Sequence, residues 1–168
     1  GRSATAAMRI SQHQSFIVTT LLVAISAQAQ DVPTPVAAMS FFVTSTGRGI
    51  GANLGGLAGA DALCRQRATA VERGDRLWRA YLSAPPSPDV PAVNARDRIG
   101  RGPWVNARGV QIAASVEQLH SEAVNLTIET ALTEKGGIVA PQRHDILTGS
   151  NPDGTLVTSG DATCSGWT

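Results

Sequence analysis

The chain has 168 residues, with 14 lysines and arginines against 13 aspartates and glutamates, and 42% of its residues are hydrophobic. This length and composition suffice for one hydrophobic core, so a single folded domain is expected. The balanced charge argues against a nucleic-acid-binding protein, which needs an excess of basic residues on one surface.

The N-terminal segment has the features of an export signal. Residues 1–7 precede the first methionine and are interpreted as an extension outside the fold. Residues 8–29 combine a basic start, an apolar run and an Ala-x-Ala cleavage pattern, as secretory signal peptides do. Residues 30–38 contain two prolines and predict an extended linker before a domain at residues 39–168. We therefore expect a secreted or periplasmic protein with no stable membrane span after signal cleavage.

A strand, a glycine-rich segment and a helix are predicted at the start of the domain. Residues 40–46, SFFVTST, are mostly β-branched or aromatic and predict a buried strand. From Leu57 to Gly74 the apolar residues recur at helical spacing, which places Cys64 on the buried face. Three glycines at the helix start are interpreted as structural, because glycine permits positive φ and close backbone contact. They are Gly55, Gly56 and Gly59.

The same segment permits a remote alternative, a nucleotide-dependent oxidoreductase. Residues 47–51, GRGIG, stand between a predicted strand and a helix, where dinucleotide folds bind a pyrophosphate. However, only Arg48 separates the Thr-Gly pair from the next Gly-x-Gly, which is shorter than in short-chain dehydrogenases. Tyr81 also has Pro85, not lysine, four residues later. A non-catalytic protein is therefore expected.

The remainder of the domain reads as short strands separated by loops. Residues 77–83, LWRAYLS, alternate apolar and polar side chains and predict a strand that buries every second residue. A helical turn is expected before Gly100, and a strand near Trp104. Residues 151–154, Asn-Pro-Asp-Gly, are typical of a β-turn, and residues 155–159 are predicted to form the returning strand.

Polar residues near the C-terminus are the candidate ligand-binding residues. Asn151, Asp153 and Asp161 supply side-chain oxygens within one short stretch. Oxygen atoms are the ligands that calcium prefers, so Asp153 and Asp161 are candidate calcium ligands and calcium is a candidate cofactor. Asn and Asp also stabilise turns through their own backbone, which is the alternative role for all three residues.

Arginine and tryptophan side chains complete the candidate binding set. Arg101 belongs to a group of arginines that could donate to acidic sugars or sulfate. The others are Arg96, Arg98 and Arg108. Trp104 and Trp167 could each supply an aromatic face beside a bound sugar.

Several motifs, taken together in chain order, resemble bacterial secreted lectins with a C-type-lectin-like, endostatin-like domain. They are NLGGLAGADALC, WRAYLS, ARDRIGRGPW, ALTEKG, TGSNPDGT and CSGWT. The resemblance covers about residues 40–168. It implies an α+β fold in which one or two helices pack on short antiparallel strands joined by long loops. It further implies that this chain holds the N-terminal two thirds of such a domain.

The resemblance also bears on the cysteines and on function. It implies that Cys64 pairs with a cysteine in the last strand of such domains and Cys164 with one in a late loop. From the sequence alone, the two cysteines of an exported chain could instead pair with each other. The implied function is non-catalytic recognition of a carbohydrate or surface glycoconjugate. A protein-binding adhesin that contacts host or matrix proteins is the alternative, since fold does not fix function.

Overall fold

The computed structural model describes residues 35–143 and 145–168. The predicted extension and signal peptide, and residues 30–34 of the predicted linker, lie outside this part of the chain. Within it the helices are α1 Gly56–Thr69, α2 Ala95–Arg98, α3 Val116–Leu119 and α4 Cys164–Trp167, with a 3₁₀-helix at Pro141–Arg143. The strands are β1 Trp104–Val105 and β2 Gln111–Ala113. None of the helices described is both long enough and apolar enough to span a lipid bilayer.

The predicted long helix is present as α1. It begins after Gly55, whose φ of 79° is in the left-handed region that glycine adopts without strain. Its buried face includes Ala60 and Ala68, both at positions of the predicted apolar pattern. The helix ends at Thr69, before the predicted Gly74, and the chain then turns through Glu72 at a φ of 60°.

Strands β1 and β2 pair antiparallel in a two-stranded sheet, with Trp104 opposite Ala113 and a bulge after Trp104. The described chain is therefore a small mixed helix and strand protein, which agrees with the predicted α+β class. The predicted strand near Trp104 is β1, and the predicted helical turn before Gly100 is α2.

Two other predicted strands do not form ladders. Residues 40–46 make one isolated parallel bridge, between Val43 and Thr133. In residues 77–83 the apolar side chains alternate into the core as predicted, but the backbone lacks a strand partner. The N–H of Ala80 instead donates to Asp61 Oδ1 at 2.8 Å. The half-buried carboxylate of Asp61 thus accepts a hydrogen bond that a neighbouring strand would otherwise accept.

The predicted returning strand at residues 155–159 is also reduced to a single bridge. Leu156 pairs antiparallel with Ser150, and the turn between them closes with a bond from Gly154 N–H to Asn151 O at 2.9 Å. The predicted β-turn is therefore present, although its flanking strands are too short to count as a sheet.

Three apolar clusters form the core. The first contains Trp167 and joins α1 to residues 80–84, and the second surrounds Met39 and Trp78. The third lies around Trp104 and the β1–β2 pair. Cys64 packs against the first two clusters. The predicted interior orientation of Cys64 is therefore what the structure shows.

Candidate functional site

The predicted turn at residues 151–154 is a rigid, exposed structure. Asp153 Oδ1 accepts from Thr155 N at 3.0 Å and from Thr155 Oγ1 at 2.6 Å. Asn151 Nδ2 donates to Thr155 Oγ1 at 3.1 Å and to Leu156 O at 3.1 Å. The bonds from Thr155 favour the ionised carboxylate and hold the pKa of Asp153 below its usual range. Local chemistry alone therefore fixes the shape of this turn.

Two residues at the start of α2 are bonded to the same turn. Asn94 Oδ1 accepts from Leu156 N at 2.9 Å. Arg96 donates through Nη1 to Asp153 O at 2.9 Å and through its backbone N–H to Gly154 O at 3.2 Å. We call Asn94, Arg96, Asn151, Asp153 and Thr155 the turn surface. Three hydrogen bonds therefore join two polar segments that are far apart in the sequence.

A pair of aromatic rings supports the turn surface. Tyr81 Oη lies 2.8 Å from His120 Nε2, and His120 Nδ1 lies 2.6 Å from Val116 O. Because a carbonyl can only accept, Nδ1 carries the proton and Nε2 accepts from the tyrosine. Burial raises the pKa of Tyr81, which keeps its hydroxyl protonated as a donor.

Gly154 fits the turn against these rings. Its φ is 81°, and a Cβ at this position would lie 2.3 Å from His120 Nε2 and 2.7 Å from Arg96 Cβ. Only glycine satisfies both the backbone angle and the close contact. The turn surface is therefore held from below by Tyr81 and His120 and from the side by α2.

Three residues of the turn surface each keep a side-chain atom without a hydrogen bond to any other described residue. The atoms are Asp153 Oδ2, Asn151 Oδ1 and Arg96 Nη2. The first two atoms accept and the third donates. A ligand that carries neighbouring hydroxyl groups can bond to both kinds of atom at once.

The predicted calcium ligands do not share a site. Asp153 is bonded within its own turn, whereas Asp161 accepts from Thr163 N at 2.9 Å and Ser165 N at 2.7 Å. These backbone bonds lower the pKa of Asp161. Among the residues that the structure describes, no group of three or more His, Cys, Asp or Glu side chains is arranged to hold a metal ion. Turn formation, the alternative role, is what the contacts show.

The remaining predicted ligand-binding residues lie apart from the turn surface. Trp167 is 2% exposed and donates from its indole to Ser83 O at 2.8 Å, and Trp104 is 8% exposed within the third cluster. Neither ring presents a face to a ligand, so the predicted stacking role does not fit this structure. Arg101 is exposed, and its side chain bonds to none of the described residues.

The glycine-rich segment packs the start of α1 and does not form a dinucleotide loop. Gly59 approaches Leu54 O so closely that a Cβ there would lie 1.9 Å from it. Arg48 Nη1 also donates to Leu54 O, at 3.1 Å. The only sheet in the described residues is antiparallel, whereas dinucleotide folds use a parallel sheet.

The two cysteines are not bonded to each other. Cys64 is half-buried and Cys164 is exposed, and both are free thiols. Burial raises the pKa of the Cys64 thiol to about 11, and the nearby Asp61 carboxylate adds to the increase. Cys64 is therefore an unreactive interior group in this structure.

No protein-family model matches the chain, and no curated protein is significantly similar to it. Function is therefore inferred from the geometry of the chain itself.

The sequence alone missed part of this site. It predicts the turn, since Asn-Pro-Asp-Gly has local turn chemistry, but it gives no sign that Asn94 bonds to Leu156. That contact joins residues 62 positions apart. Only the folded chain brings α2 to the turn.

Proposed function

We propose that the chain is a secreted, non-catalytic, C-type-lectin-like module that binds carbohydrate at the turn surface. The observation that carries this proposal is the set of three hydrogen bonds between α2 and the 151–156 segment. These bonds fix exposed donors and acceptors in one place. Fixed polar groups lose little conformational entropy when a ligand binds, which favours recognition of a polar ligand.

In this proposal, the sugar hydroxyls replace water at the three unbonded atoms. One hydroxyl donates to Asp153 Oδ2 and a neighbouring hydroxyl accepts from Arg96 Nη2. Hydrogen bonds to charged groups are stronger than neutral ones, so these two contacts dominate the affinity. An exposed, shallow surface of this kind gives monovalent dissociation constants of about 1 mM.

A glycan array probed with the purified full chain tests the proposal. We expect binding to a subset of hydroxyl-rich glycans. Asp153→Asn keeps an oxygen to accept from Thr155 but replaces the free carboxylate oxygen with a donor. Arg96→Ala keeps the Cβ that packs on Gly154 and removes the guanidinium. Each variant should weaken binding by about tenfold, as expected for one charged hydrogen bond.

Arg108→Ala is the matched control, because Arg108 is an exposed arginine whose side chain bonds to none of the described residues. It removes the same charge and should leave glycan binding unchanged. If the wild-type chain binds none of the neutral and acidic glycans, with or without calcium, the proposal is wrong. Equal binding by wild type, Asp153→Asn and Arg96→Ala would place the sugar elsewhere.

A further inference from the structure

A groove of about 650 Å³ lies between residues 43–54 and a second segment that includes residues 133–140 and 145–147. Its lining combines apolar side chains with hydroxyl groups, and Trp167 also contributes to it. The groove shares no residue with the turn surface. It therefore offers a second, independent surface for a ligand.

Large apolar side chains on one wall of the groove are exposed to solvent. Ile138 is 52% exposed, Ile146 is 53% exposed and Leu147 is 64% exposed. All three line the groove. Single exposed apolar residues are common, but several around one concave surface indicate an interaction site.

Backbone groups on both walls are unpaired. On one wall, Val43 N–H donates to Leu132 O at 2.8 Å, but Thr44 makes no backbone hydrogen bond within the described residues. On the other wall, Ile146 and Leu147 likewise make none. Residues 145–147 are also neither helical nor part of a turn. The N–H and C=O groups of Thr44, Ile146 and Leu147 are therefore free to pair with an added strand.

The charges on the groove are mainly positive. Lys135 and Arg143 both line it, and neither side chain forms an ion pair with a described residue. Asp145 is the one acidic side chain of the lining. The groove therefore complements a ligand with negative charge beside its apolar part.

We propose that this groove binds an extended polypeptide segment of another protein, with apolar residues in alternation and acidic residues at its ends. A strand added to a groove pairs its backbone with the free groups of Thr44, Ile146 and Leu147. Every second side chain of that strand then points towards the apolar wall. An acidic residue next to the strand meets Lys135 or Arg143.

Other ligand classes fit the groove less well. A fatty acyl chain would cover the apolar side chains but leave the covered backbone groups without partners, which is unfavourable. A sugar would need an accessible aromatic face or a dense set of polar side chains, and the only indole in the lining is 2% exposed. A polypeptide satisfies the apolar, backbone and charged groups together.

The test uses a fluorescein-labelled peptide of about ten residues, the length of a long strand, in which valine and threonine alternate between two aspartates at each end. Two control peptides have lysines in place of the aspartates, or prolines in place of the threonines, which removes backbone donors. Fluorescence anisotropy with the full chain should show saturable binding of the aspartate peptide. Each control peptide should bind at least about tenfold more weakly.

Two variants of the chain locate the peptide. Leu147→Asp places a negative charge on the apolar wall, which repels the aspartates of the peptide. Binding should therefore weaken by about tenfold or more. Leu77→Asp is the matched control, because Leu77 is 79% exposed and does not line the groove. Hydrogen exchange provides a second measurement, since the amides of Thr44, Ile146 and Leu147 should become protected when the aspartate peptide is added.

Several results overturn the proposal. One is absence of saturable binding up to millimolar peptide, and another is equal loss of binding in Leu147→Asp and Leu77→Asp. A third is sedimentation that shows a dimer which Leu147→Asp converts to monomer, because the groove would then hold a second copy of this chain. Displacement of the peptide by a fatty acid without any change in amide protection would assign the groove to a lipid.

Discussion

Two sides of the described domain differ in whether their charged side chains are paired and their apolar side chains are buried. On α1, Asp61 lies between two guanidinium groups, at 2.7 Å from Arg79 and 2.9 Å from Arg98. Along the groove, Lys135 and Arg143 have no such partner among the described residues. The Asp61 network pairs all three of its charges, whereas the groove leaves two cationic side chains exposed to solvent.

This difference separates stability from recognition. A buried charge network stabilises the fold only when all its members are present, so substitutions there should act on unfolding. Exposed apolar and charged groups add little to folding, and substitutions there should act on binding. Substitutions on the α1 side and in the groove should therefore differ in which of the two properties they change.

The Asp61 network is expected to give the largest loss of stability. Asp61→Ala would leave Arg98, whose side chain is 12% exposed, without its carboxylate partner. Removing one member of a buried pair costs about 3 kcal/mol of unfolding free energy. Urea denaturation monitored by tryptophan fluorescence measures this change. Arg79→Ala is the comparison, because that side chain is 45% exposed and its loss should cost under about 1 kcal/mol.

If Asp61→Ala lowers the unfolding free energy no more than Arg79→Ala does, this prediction is wrong. That result would mean that the three charges are solvated in the same way. The α1 side would then resemble the groove side, and the separation would fail.

Close packing at the start of α1 should give the next effect. Gly59→Ala improves intrinsic helix propensity by about 1 kcal/mol. However, the new Cβ would lie 1.9 Å from Leu54 O, a backbone atom that cannot move alone. Overpacking of this kind costs about 2 kcal/mol or more, so the net effect is destabilising. Thermal unfolding followed by circular dichroism should show a lower unfolding temperature for Gly59→Ala than for the wild type.

Gly47→Ala is the matched control on the groove side. A Cβ at Gly47 meets no atom within 4 Å, and its φ lies outside the left-handed region. We expect an unfolding temperature close to that of the wild type. Equal destabilisation by the two alanines would contradict this prediction, because the loss at Gly59 would then not come from the contact with Leu54.

Acid should weaken the α1 side. Burial opposes ionisation of Asp61, but the bonds from Ala80 N–H, Arg79 and Arg98 outweigh it, so the folded-state pKa lies below the ordinary value of 3.8. A carboxyl with a lowered folded-state pKa stabilises the protein above the unfolded pKa. Its contribution is lost as the pH falls from about 4 through the folded pKa.

Urea titrations between about pH 6 and pH 3 measure this dependence. Asp61→Asn should show a shallower loss of stability over that interval than the wild type. A wild-type stability that stays constant down to pH 3, or a variant with an unchanged slope, would contradict the role of the ionised carboxylate. Asp153 and Asp161 also have lowered pKa values, so part of the slope should remain in the variant.

The sequence predicts those parts of the fold that depend on neighbouring residues. Helix α1 follows from apolar residues at helical spacing, and the turn at residues 151–154 follows from its four residue types. Neither needs information from elsewhere in the chain. The mixed helix and strand class could be predicted for the same reason.

The predicted strands at residues 40–46 and 77–83 do not form ladders, and in each segment a side-chain carboxylate accepts from one backbone N–H. Glu134 Oε2 accepts from Ser45 N at 2.9 Å, and Asp61 Oδ1 accepts from Ala80 N at 2.8 Å. Residues 77–83 keep the alternating burial of a strand, whereas residues 40–45 are uniformly half-buried, and neither segment forms a ladder. Alternation of side chains indicates an extended backbone, and it cannot tell whether the hydrogen-bond partner is a strand or a side chain.

The candidate site was predicted only in part, for a related reason. The sequence singles out Asn151 and Asp153 for their side-chain oxygens, and the four residues 151–154 predict the turn that holds them. The groove was not found, since it arises where residues 43–54 meet residues more than eighty positions later. Local patterns therefore predicted the turn surface better than the groove.

The smallest expected effect concerns α4. This segment contacts both the core next to α1 and the groove, because Trp167 belongs to the first core cluster and also lines the groove. Ser165 has a φ of 60°, a conformation that costs a non-glycine residue about 1 kcal/mol. Its side chain makes no hydrogen bond, whereas its backbone N–H donates to Asp161. Ser165→Gly should therefore raise the unfolding free energy by about 0.5 kcal/mol, after the added flexibility of the unfolded chain is subtracted.

Ser159→Gly is the control for that flexibility. Ser159 is exposed and, unlike Ser165, does not have a positive φ. It should lower the unfolding free energy by about 0.5 kcal/mol, because there glycine only increases the freedom of the unfolded chain. Opposite signs for the two glycines in urea titrations would show that the Asp161 and Thr163 bonds hold α4 in a strained left-handed turn. Destabilisation by both would mean that the strain at Ser165 is absent in solution, and Trp167 would then owe its burial to packing alone.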